Sequence, residues 1–268
     1  MAVIPFRPRT SLAARSAVIV GGGIGGLACA LALRQAGVAV QVLEQARKLR
    51  EVGAGLQLSP YATRVLRDLG VLEAVEKVAV APRALEVRDG RTGAPLARAD
   101  YAPAAARYDA PFLVVHRADL QNVLAEAAEA AGCAVQLGVD LQSIEAEPGR
   151  VRAVVSQQGQ LIAHGADVLV GADGVRSAVR GHLGLSAPPV FARRLAYRAT
   201  VDAPEGFPAE VRLYLARDAH VVVYPVCGGK TVNIVAIVKE TRPVARWSAP
   251  GDSATIHAAF QGWTGEVR

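Results

Sequence analysis

Three glycines near the start of the chain have the spacing of a phosphate-binding loop. Gly21, Gly23 and Gly26 fit the pattern G-x-G-x-x-G. In such a loop the first glycine permits a tight turn, the second lets the backbone approach a pyrophosphate, and the third lets the next helix lie close to the preceding strand. The partial positive charge at the helix N-terminus then faces the phosphates. The spacing predicts a dinucleotide site.

The segments around these glycines are the ones that such a loop requires. A short β-branched run at 17–20 predicts a buried strand, residues 27–36 predict a helix that Gly37 closes, and residues 38–43 predict a second strand. A glycine pattern alone also occurs in ordinary glycine-rich turns. The order of strand, glycines, helix and strand favours dinucleotide binding.

An acidic residue stands at the end of the second predicted strand. Glu44 lies eighteen residues beyond Gly26, near the position from which a carboxylate hydrogen-bonds an adenosine ribose 2′-OH and disfavours a 2′-phosphate. Glu44 therefore favours FAD or NAD over NADP at this site.

Two more charged residues are candidates for the same site. Asp173 follows a predicted buried strand at 166–170, and ligands of open α/β sheets bind at the carboxyl ends of strands; the alternative is a turn-forming aspartate beside Gly174. The pattern from Val114 to Ala131 is helical, and Arg117 lies where a helix begins. Its guanidinium is suited to bidentate contact with a pyrophosphate, although a solvated arginine is the simpler interpretation.

Composition narrows the class of protein. The 268 residues are 51% hydrophobic and 20% charged, with a net charge of +6, which is typical of a globular chain. The arginines are scattered, so we do not expect a nucleic-acid partner. The three cysteines are far apart, which favours a reduced, cytoplasmic protein. No stretch approaches the roughly 20 apolar residues that a bilayer-spanning helix needs, so we expect no membrane partner.

The rest of the chain is rich in predicted strands. Asp89 and Gly90 mark a hairpin turn between strands at 85–88 and 95–99, and residues 101–111 predict a loop rich in alanine and proline. A β-meander is predicted around Pro148 and Gly149. Further strands are predicted after Ser186, at 195–201, 211–216, 220–226 and 231–238. The pattern is that of an α/β domain interrupted by a β-rich layer.

Together these motifs resemble the single-component FAD-dependent aromatic hydroxylases, the group A flavin monooxygenases similar to salicylate and 6-hydroxynicotinate hydroxylases. The residues that carry the resemblance are the glycine motif, Glu44, Arg117, residues 171–177, residues 51–60, and Tyr224 to Val226 with Asn233. The resemblance covers the chain from Ser16 onward.

The resemblance implies a fold and a cofactor. It implies a Rossmann-type FAD-binding domain like that of p-hydroxybenzoate hydroxylase, at 1–78 and 111–185, with an interleaved β-rich substrate domain at 79–110 and 186–268. The implied FAD contacts are Gly21, Gly23, Gly26, Glu44, Gln45, Ala54, Arg117, Asp173 and Gly174. The implied reaction is NADH- or NADPH-dependent hydroxylation of a small aromatic compound by O₂, through a flavin C4a-hydroperoxide.

His220 and Tyr224 are the candidate catalytic residues, and Gln57 and Arg198 are the candidate substrate contacts. On a strand, His220 and Tyr224 share one face, which predicts an imidazole and a phenol in an aromatic pocket; the alternative is a solvent-facing histidine and a packing tyrosine. Gln57 stands where some relatives carry a histidine near the substrate, but glutamine is no base. Arg198 is the candidate for binding a substrate carboxylate, with a structural salt bridge as the alternative.

One departure from the family concerns the C-terminal part. Family members continue through a Gly-Asp motif that contacts the flavin, whereas Gly251 and Asp252 follow Ala-Pro rather than an apolar strand. We therefore expect a truncated hydroxylase with an incomplete flavin side. Two alternatives stay open, a catalytically silent FAD-binding remnant and a flavin oxidoreductase of the geranylgeranyl-reductase or halogenase type.

Overall fold

The structure is a computed structural model that describes residues 15–49, 54–185, 187–241, 251 and 253–267. The described residues form two compact units. The first unit contains residues 15–49, 121–185 and 187–189, and the second contains residues 54–120, 190–241, 251 and 253–267.

The described residues form both strands and helices. In order they are β1 (Ser16–Val20), α1 (Ile24–Gln35), β2 (Ala39–Glu44), β3 (Gly55–Leu58), α2 (Pro60–Asp68), α3 (Leu72–Val78), β4 (Ala84–Asp89), β5 (Pro95–Asp100), α4 (Ala102–Tyr108), β6 (Leu113–His116), α5 (Arg117–Ala130), β7 (Ala134–Leu137), β8 (Val139–Glu147), β9 (Arg150–Gln157), β10 (Gln160–Ala166), β11 (Val168–Gly171), α6 (Ala178–His182), β12 (Arg194–Asp202), β13 (Val211–Leu215), β14 (Ala219–Val226), β15 (Thr231–Lys239) and α7 (Ser253–Ala259).

The first unit is built on a four-stranded parallel sheet in the order β11-β1-β2-β7. Its central strand β1 is buried because parallel strands carry helices or other layers on their faces. Helix α1 contributes Leu27, Ala30 and Leu31 to the core. The two strands and the helix predicted around the glycines are confirmed, with α1 beginning at Ile24 rather than Leu27.

A three-stranded antiparallel meander in the order β10-β9-β8 completes the first unit. Its turn at Pro148 and Gly149 is the predicted one. Ala153 and Val155 of β9 lie in one buried cluster with Val18 and Val20 of β1. This shared apolar core holds the strand that leads into the glycine loop.

The second unit contains a six-stranded sheet in the order β12-β15-β14-β13-β4-β5 and a β3-β6 pair. All pairs of the larger sheet are antiparallel except β4 with β13. One sheet face packs Tyr214 and Val221 with Phe260 and Trp263. The other face packs Tyr224 in a cluster with Val211, Val226 and Val114. The predicted mixed α/β architecture with a β-rich second part is confirmed.

Two secondary-structure predictions are wrong. Residues 113–116 form strand β6, and the helix begins only at Arg117; the short apolar run is buried and pairs with β3, a situation in which periodicity cannot separate strand from helix. Residues 102–108, predicted as a loop, form α4. Alanine is the strongest helix former, and a proline in the first helical turn is compatible with a helix.

The compact units divide the chain at other places than the predicted domains. Residues 54–78 and 111–120 belong to the second unit, whereas the sequence assigned them to the FAD-binding domain. Compactness does not decide which residues contact a cofactor, so the predicted domain assignment stays a prediction. Among the residues that the structure describes, the helices fall short of the length and apolar character that a membrane crossing requires.

Replacing Thr63 tests one buried connection in the second unit. The Thr63 side chain is fully buried in α2, and its hydroxyl donates to the Pro111 carbonyl oxygen at 2.7 Å, just before β6. Thr63→Val removes this donor, and we expect the free energy of unfolding to fall by about 1–3 kcal/mol. Thr63→Ser keeps the donor, so its free energy of unfolding is expected to fall by less. Urea denaturation of both variants measures the difference. Equal stability of valine variant and wild type would show that the bond contributes nothing.

His164 is expected to make the first unit less stable in acid. It lies on β10 opposite the fully buried Ala153, and burial lowers the pKa of its imidazole. The unfolded chain takes up the proton first, so stability present above about pH 6.5 is lost as the pH falls toward the folded pKa. We expect His164→Leu to reduce the loss of unfolding free energy between pH 7.5 and 5.5. If His164→Leu loses as much unfolding free energy between pH 7.5 and 5.5 as wild type does, another group causes the acid sensitivity.

Candidate functional site

The first and third glycines of the loop are required by close backbone packing. Gly21 has a φ of +111°, and a Cβ there would overlap the carbonyl group of Ala172, which is the residue directly after β11. A Cβ on Gly26 would overlap the carbonyl oxygen of Gly21. Any side chain at either position would push β1, α1 and the end of β11 apart. The two glycines therefore let α1 begin directly against the strand ends.

The second glycine faces open space. Apart from Gly23 itself and its two chain neighbours, no atom of the described chain lies within 4 Å of the position that a Cβ on Gly23 would occupy. The same holds for Gly25 when the backbone of its own helix is also set aside. Gly23 is also the N-cap of α1, where no side chain satisfies the first backbone N–H groups. Those N–H groups and the helix dipole favour an anion. The geometry is that of a phosphate-binding loop with its phosphate side open.

Hydrogen bonds hold the loop from three sides. The Gly21 N–H donates to the Leu43 carbonyl of β2 at 2.8 Å. The Gly22 N–H donates to Oε2 of Glu44 at 2.6 Å, and the Gly22 carbonyl accepts from Nε2 of Gln121 at 2.9 Å. Gln121 is a participant that the sequence patterns did not single out, because it lies on the distant helix α5.

The structure places Glu44 beside the glycine loop, as its spacing predicts. Its carboxylate is half-buried, and besides the Gly22 contact its Oε1 accepts from the Ala46 N–H at 2.8 Å. A carboxylate offers about four acceptor positions, so capacity for a ribose hydroxyl remains. Gln45, also predicted to contact the cofactor, is exposed next to it.

Both carboxylate oxygens of Asp173 accept hydrogen bonds from the start of helix α6. Its Oδ1 accepts from the Ser177 hydroxyl at 2.6 Å and its Oδ2 from the Val179 N–H at 3.1 Å. Ser177 in turn caps α6 by accepting from the Arg180 N–H. Gly174 adopts a φ of +77° in the connecting turn. The observed role of Asp173 is to order the turn between β11 and α6, and its predicted cofactor contact stays a prediction.

In the second unit, Ala54 and Arg117 are joined through their backbones. The Arg117 N–H donates to the Ala54 carbonyl at 2.9 Å. Ala54 is buried, and Arg117 is the first residue of α5. The structure therefore brings together two of the predicted cofactor contacts and confirms that Arg117 begins a helix. Residues 51–53 of the same sequence motif lie outside the described residues.

A buried polar cluster lies beside β3 in the second unit. Asn233 has no exposed surface, and its Oδ1 accepts from the Gly55 N–H at 2.6 Å. A Cβ on Gly55 would lie 2.8 Å from the Asn233 Cγ and 2.8 Å from the Tyr224 hydroxyl oxygen. Glycine at position 55 thus permits the backbone of β3 to approach both side chains. Asn233 is one of the residues that carry the family resemblance, but no role was predicted for it.

Tyr224, His220 and Arg198 share one face of the six-stranded sheet. On β14, His220, Val222 and Tyr224 lie two residues apart and so project to the same face. On β12, Arg198 is in register with Val235 of β15, and Val235 is in register with Val222 of β14. Residues in register across antiparallel strands project to the same face. The structure therefore brings three of the four predicted catalytic and substrate residues to one face. Gln57, the fourth, is exposed on β3.

The environment of Tyr224 fixes its protonation. The side chain is almost fully buried, and burial raises the pKa of its phenol to about 12. At neutral pH it is a neutral hydrogen-bond donor. The same apolar cluster includes Tyr101 and Phe112, whose rings stack with centroids 3.9 Å apart. This aromatic pair was not predicted, because Tyr101 lies in the segment predicted as a loop and Phe112 follows that segment directly.

Within the described parts of the chain, no group of three or more His, Cys, Asp or Glu side chains is arranged to hold a metal ion. In the first unit, backbone N–H groups, a carboxylate and an amide lie at the glycine loop. In the second unit, an amide and a phenol lie beside β3.

Comparison with known proteins gives relatives along nearly the whole chain. A 3-amino-4-hydroxybenzoate 2-monooxygenase of Streptomyces cremeus is 37% identical over 256 residues, which are 93% of this chain and 62% of the relative. A 3-hydroxybenzoate 6-hydroxylase of Polaromonas naphthalenivorans is 34% identical over 258 residues, 94% of this chain and 63% of the relative. The chain thus spans less than two thirds of the length of these relatives.

Among solved structures, a variant of HpxO from Klebsiella pneumoniae complexed with FAD matches with a TM-score of 0.81 and 25% identity. The match covers 94% of this chain and 64% of that one. The family model described as "FAD binding domain" matches residues 15–267. The chain therefore belongs to the FAD-binding domain family, in agreement with its sequence resemblance to FAD-dependent aromatic hydroxylases.

Proposed function

We propose that the first unit binds the ADP half of FAD. The observation that carries the proposal is the open phosphate side of the loop at Gly23, in a loop whose other two glycines are required by packing. The N–H groups at the start of α1 would hold the pyrophosphate. Glu44, with acceptor capacity to spare, would hold the adenosine ribose. Ala54, Arg117, Gln45, Asp173 and Gly174 are further proposed contacts, which the family resemblance supplies.

The activity that we propose is hydroxylation of a small aromatic compound, with NADH or NADPH as reductant. When bound, FAD supplies the redox chemistry that activates O₂. The chain's residues would bind and orient the aromatic ring and keep water away from it. The buried Tyr224 phenol is suited to donate a hydrogen bond to the substrate, because its raised pKa keeps the proton in place.

The proposed substrate carries both a hydroxyl and a carboxylate on its ring. The two relatives described above are named for hydroxybenzoates. Arg198, half-buried and on the sheet face of Tyr224, has the charge that a carboxylate requires. This supports a hydroxylated aromatic acid over an uncharged phenol.

The function is tested by giving the 268-residue chain FAD, NADH or NADPH, and 3-hydroxybenzoate. Flavin retention, nicotinamide oxidation, peroxide and product are measured together, with ¹⁸O₂ to identify the origin of the new oxygen. We expect a product that contains one atom from O₂. Absence of flavin binding would contradict the proposal that the chain binds FAD. Nicotinamide oxidation that yields only peroxide would contradict hydroxylation by this chain.

Gly23→Val tests whether the open space at Gly23 serves FAD binding rather than folding. Because no described atom beyond Gly23 and its two chain neighbours lies within 4 Å of the new Cβ position, and because the φ of −74° suits an ordinary residue, we expect the thermal stability of the apo chain to stay close to that of wild type. The branched side chain occupies the space of the pyrophosphate, so FAD binding is expected to fall below detection in a fluorescence titration. Gly26→Val is the contrasting variant, expected to unfold the loop. A Gly23→Val protein that purifies yellow would refute the site.

Arg198→Ala tests the carboxylate preference. A hydrogen bond to a charged group contributes about 1.5–3 kcal/mol, so we expect the preference for 3-hydroxybenzoate over phenol to fall roughly tenfold or more. Binding is measured through the perturbed absorbance of bound flavin. Arg217→Ala, at an exposed arginine between β13 and β14, is the control and should keep the preference. Unaltered discrimination in Arg198→Ala would assign the carboxylate to another residue.

A further inference from the structure

We infer that Gln121 is a positioning residue for the phosphate-binding loop, and that its amide keeps the Gly23 N–H directed toward the cofactor phosphates by holding the Gly22 carbonyl. The inference rests on the proposed function insofar as the loop's ligand is FAD. It adds a role for a residue that lies 99 positions away from the loop in the chain.

The burial of Gln121 shows that the side chain serves one contact. Only 4% of the residue is exposed, and it lies on α5 next to the buried Leu120 and near the buried Leu124. Its Nε2 donates to the Gly22 carbonyl oxygen at 2.9 Å, whereas its Oε1 is buried without a hydrogen-bond partner among the described residues. An unsatisfied buried acceptor is unfavourable. An apolar side chain would avoid that cost, so the glutamine is explained by its bond to the loop.

The orientation of the amide is determined by the same contact. Exchanging its oxygen and nitrogen would bring Oε1 against the Gly22 carbonyl oxygen, and two acceptors repel each other. The donor therefore faces the loop.

The bond acts on one peptide plane. In a trans peptide the carbonyl and the following N–H point in opposite directions. Gln121 draws the Gly22 carbonyl to its own side, so the Gly23 N–H of the same plane must point away from α5. The space that a Cβ on Gly23 would occupy is open. The contact thus holds a donor toward the region that the phosphates would occupy.

The other contacts of the loop fix other planes. The bond from the Gly22 N–H to Glu44 holds the plane between Gly21 and Gly22. The bond from the Leu27 N–H to the Gly23 carbonyl holds the plane between Gly23 and Ile24. Among the described residues, Gln121 is the hydrogen-bonding partner of the plane between Gly22 and Gly23. Since both of these residues are glycines, that plane would otherwise rotate with little steric resistance, and a rotated carbonyl would repel a phosphate.

Two variants of Gln121 test this role by FAD titration between pH 5 and 8. Gln121→Leu cannot donate, and we expect FAD affinity to fall at least tenfold at every pH. In Gln121→Glu the protonated acid can donate to the Gly22 carbonyl and the carboxylate cannot. We therefore expect its affinity, relative to wild type, to be near normal in acid and to fall as the pH rises. A pH-independent ratio for Gln121→Glu would overturn the inference.

Leu124→Ala is the control for a general loss of packing in α5. The leucine is fully buried, so this variant should melt at a lower temperature yet keep the wild-type FAD affinity well below its melting point. A loss of affinity equal to that of Gln121→Leu would overturn the inference, because it would reduce the role of Gln121 to stability.

The amide resonances of Gly22 and Gly23 in the cofactor-free chain test the positioning directly. We expect Gln121→Leu to shift and broaden them, as rotation of the peptide plane requires. If wild type fails to bind FAD while these resonances still respond, the proposed function fails and the positioning role stands. If wild type and Gln121→Leu bind FAD equally and their Gly22 and Gly23 resonances coincide, the positioning role fails and the proposed function stands.

Discussion

The first unit depends on backbone packed directly against backbone at the glycine loop. Gly21 lies against the Ala172 carbonyl, and Gly26 lies against the Gly21 carbonyl, with no room for a Cβ in either place. These contacts let α1 start at the ends of β1 and β11. The first-turn N–H groups of α1 then face outward at Gly23 without competition from a side chain. Folding of the loop and its capacity to bind an anion have the same physical origin.

The second unit uses a related arrangement around Gly55. Here a missing side chain lets β3 approach Asn233 and Tyr224, and the Asn233 amide satisfies the Gly55 N–H. A buried amide is unfavourable unless it is hydrogen-bonded, so the pairing fixes where β3 lies on the sheet. In both units a glycine permits close approach and a buried amide side chain, Gln121 or Asn233, holds the backbone that approaches.

Features formed by residues close together in the sequence were predictable, whereas contacts between distant residues were not. The glycine loop, its flanking strands and Glu44 form one local segment, so spacing alone identified them. Gln121 and Asn233 contact residues 99 and 178 positions away, and an isolated glutamine or asparagine in an apolar segment carries no local pattern. The strand β6 was missed because a buried apolar run of four residues has no distinctive period.

The two acidic residues predicted from their positions show why location does not define a role. Both Glu44 and Asp173 follow or end strands where α/β sheets bind ligands, and in the structure both accept hydrogen bonds from nearby backbone N–H groups. The two oxygens of Asp173 accept from the Ser177 hydroxyl and the Val179 N–H, so its carboxylate orders the approach to α6. Glu44 instead binds the loop that carries the open glycine. In the proposed function, the Glu44 carboxylate would offer its remaining acceptor sites to a ribose, while its bond to the Gly22 N–H holds the peptide plane between Gly21 and Gly22.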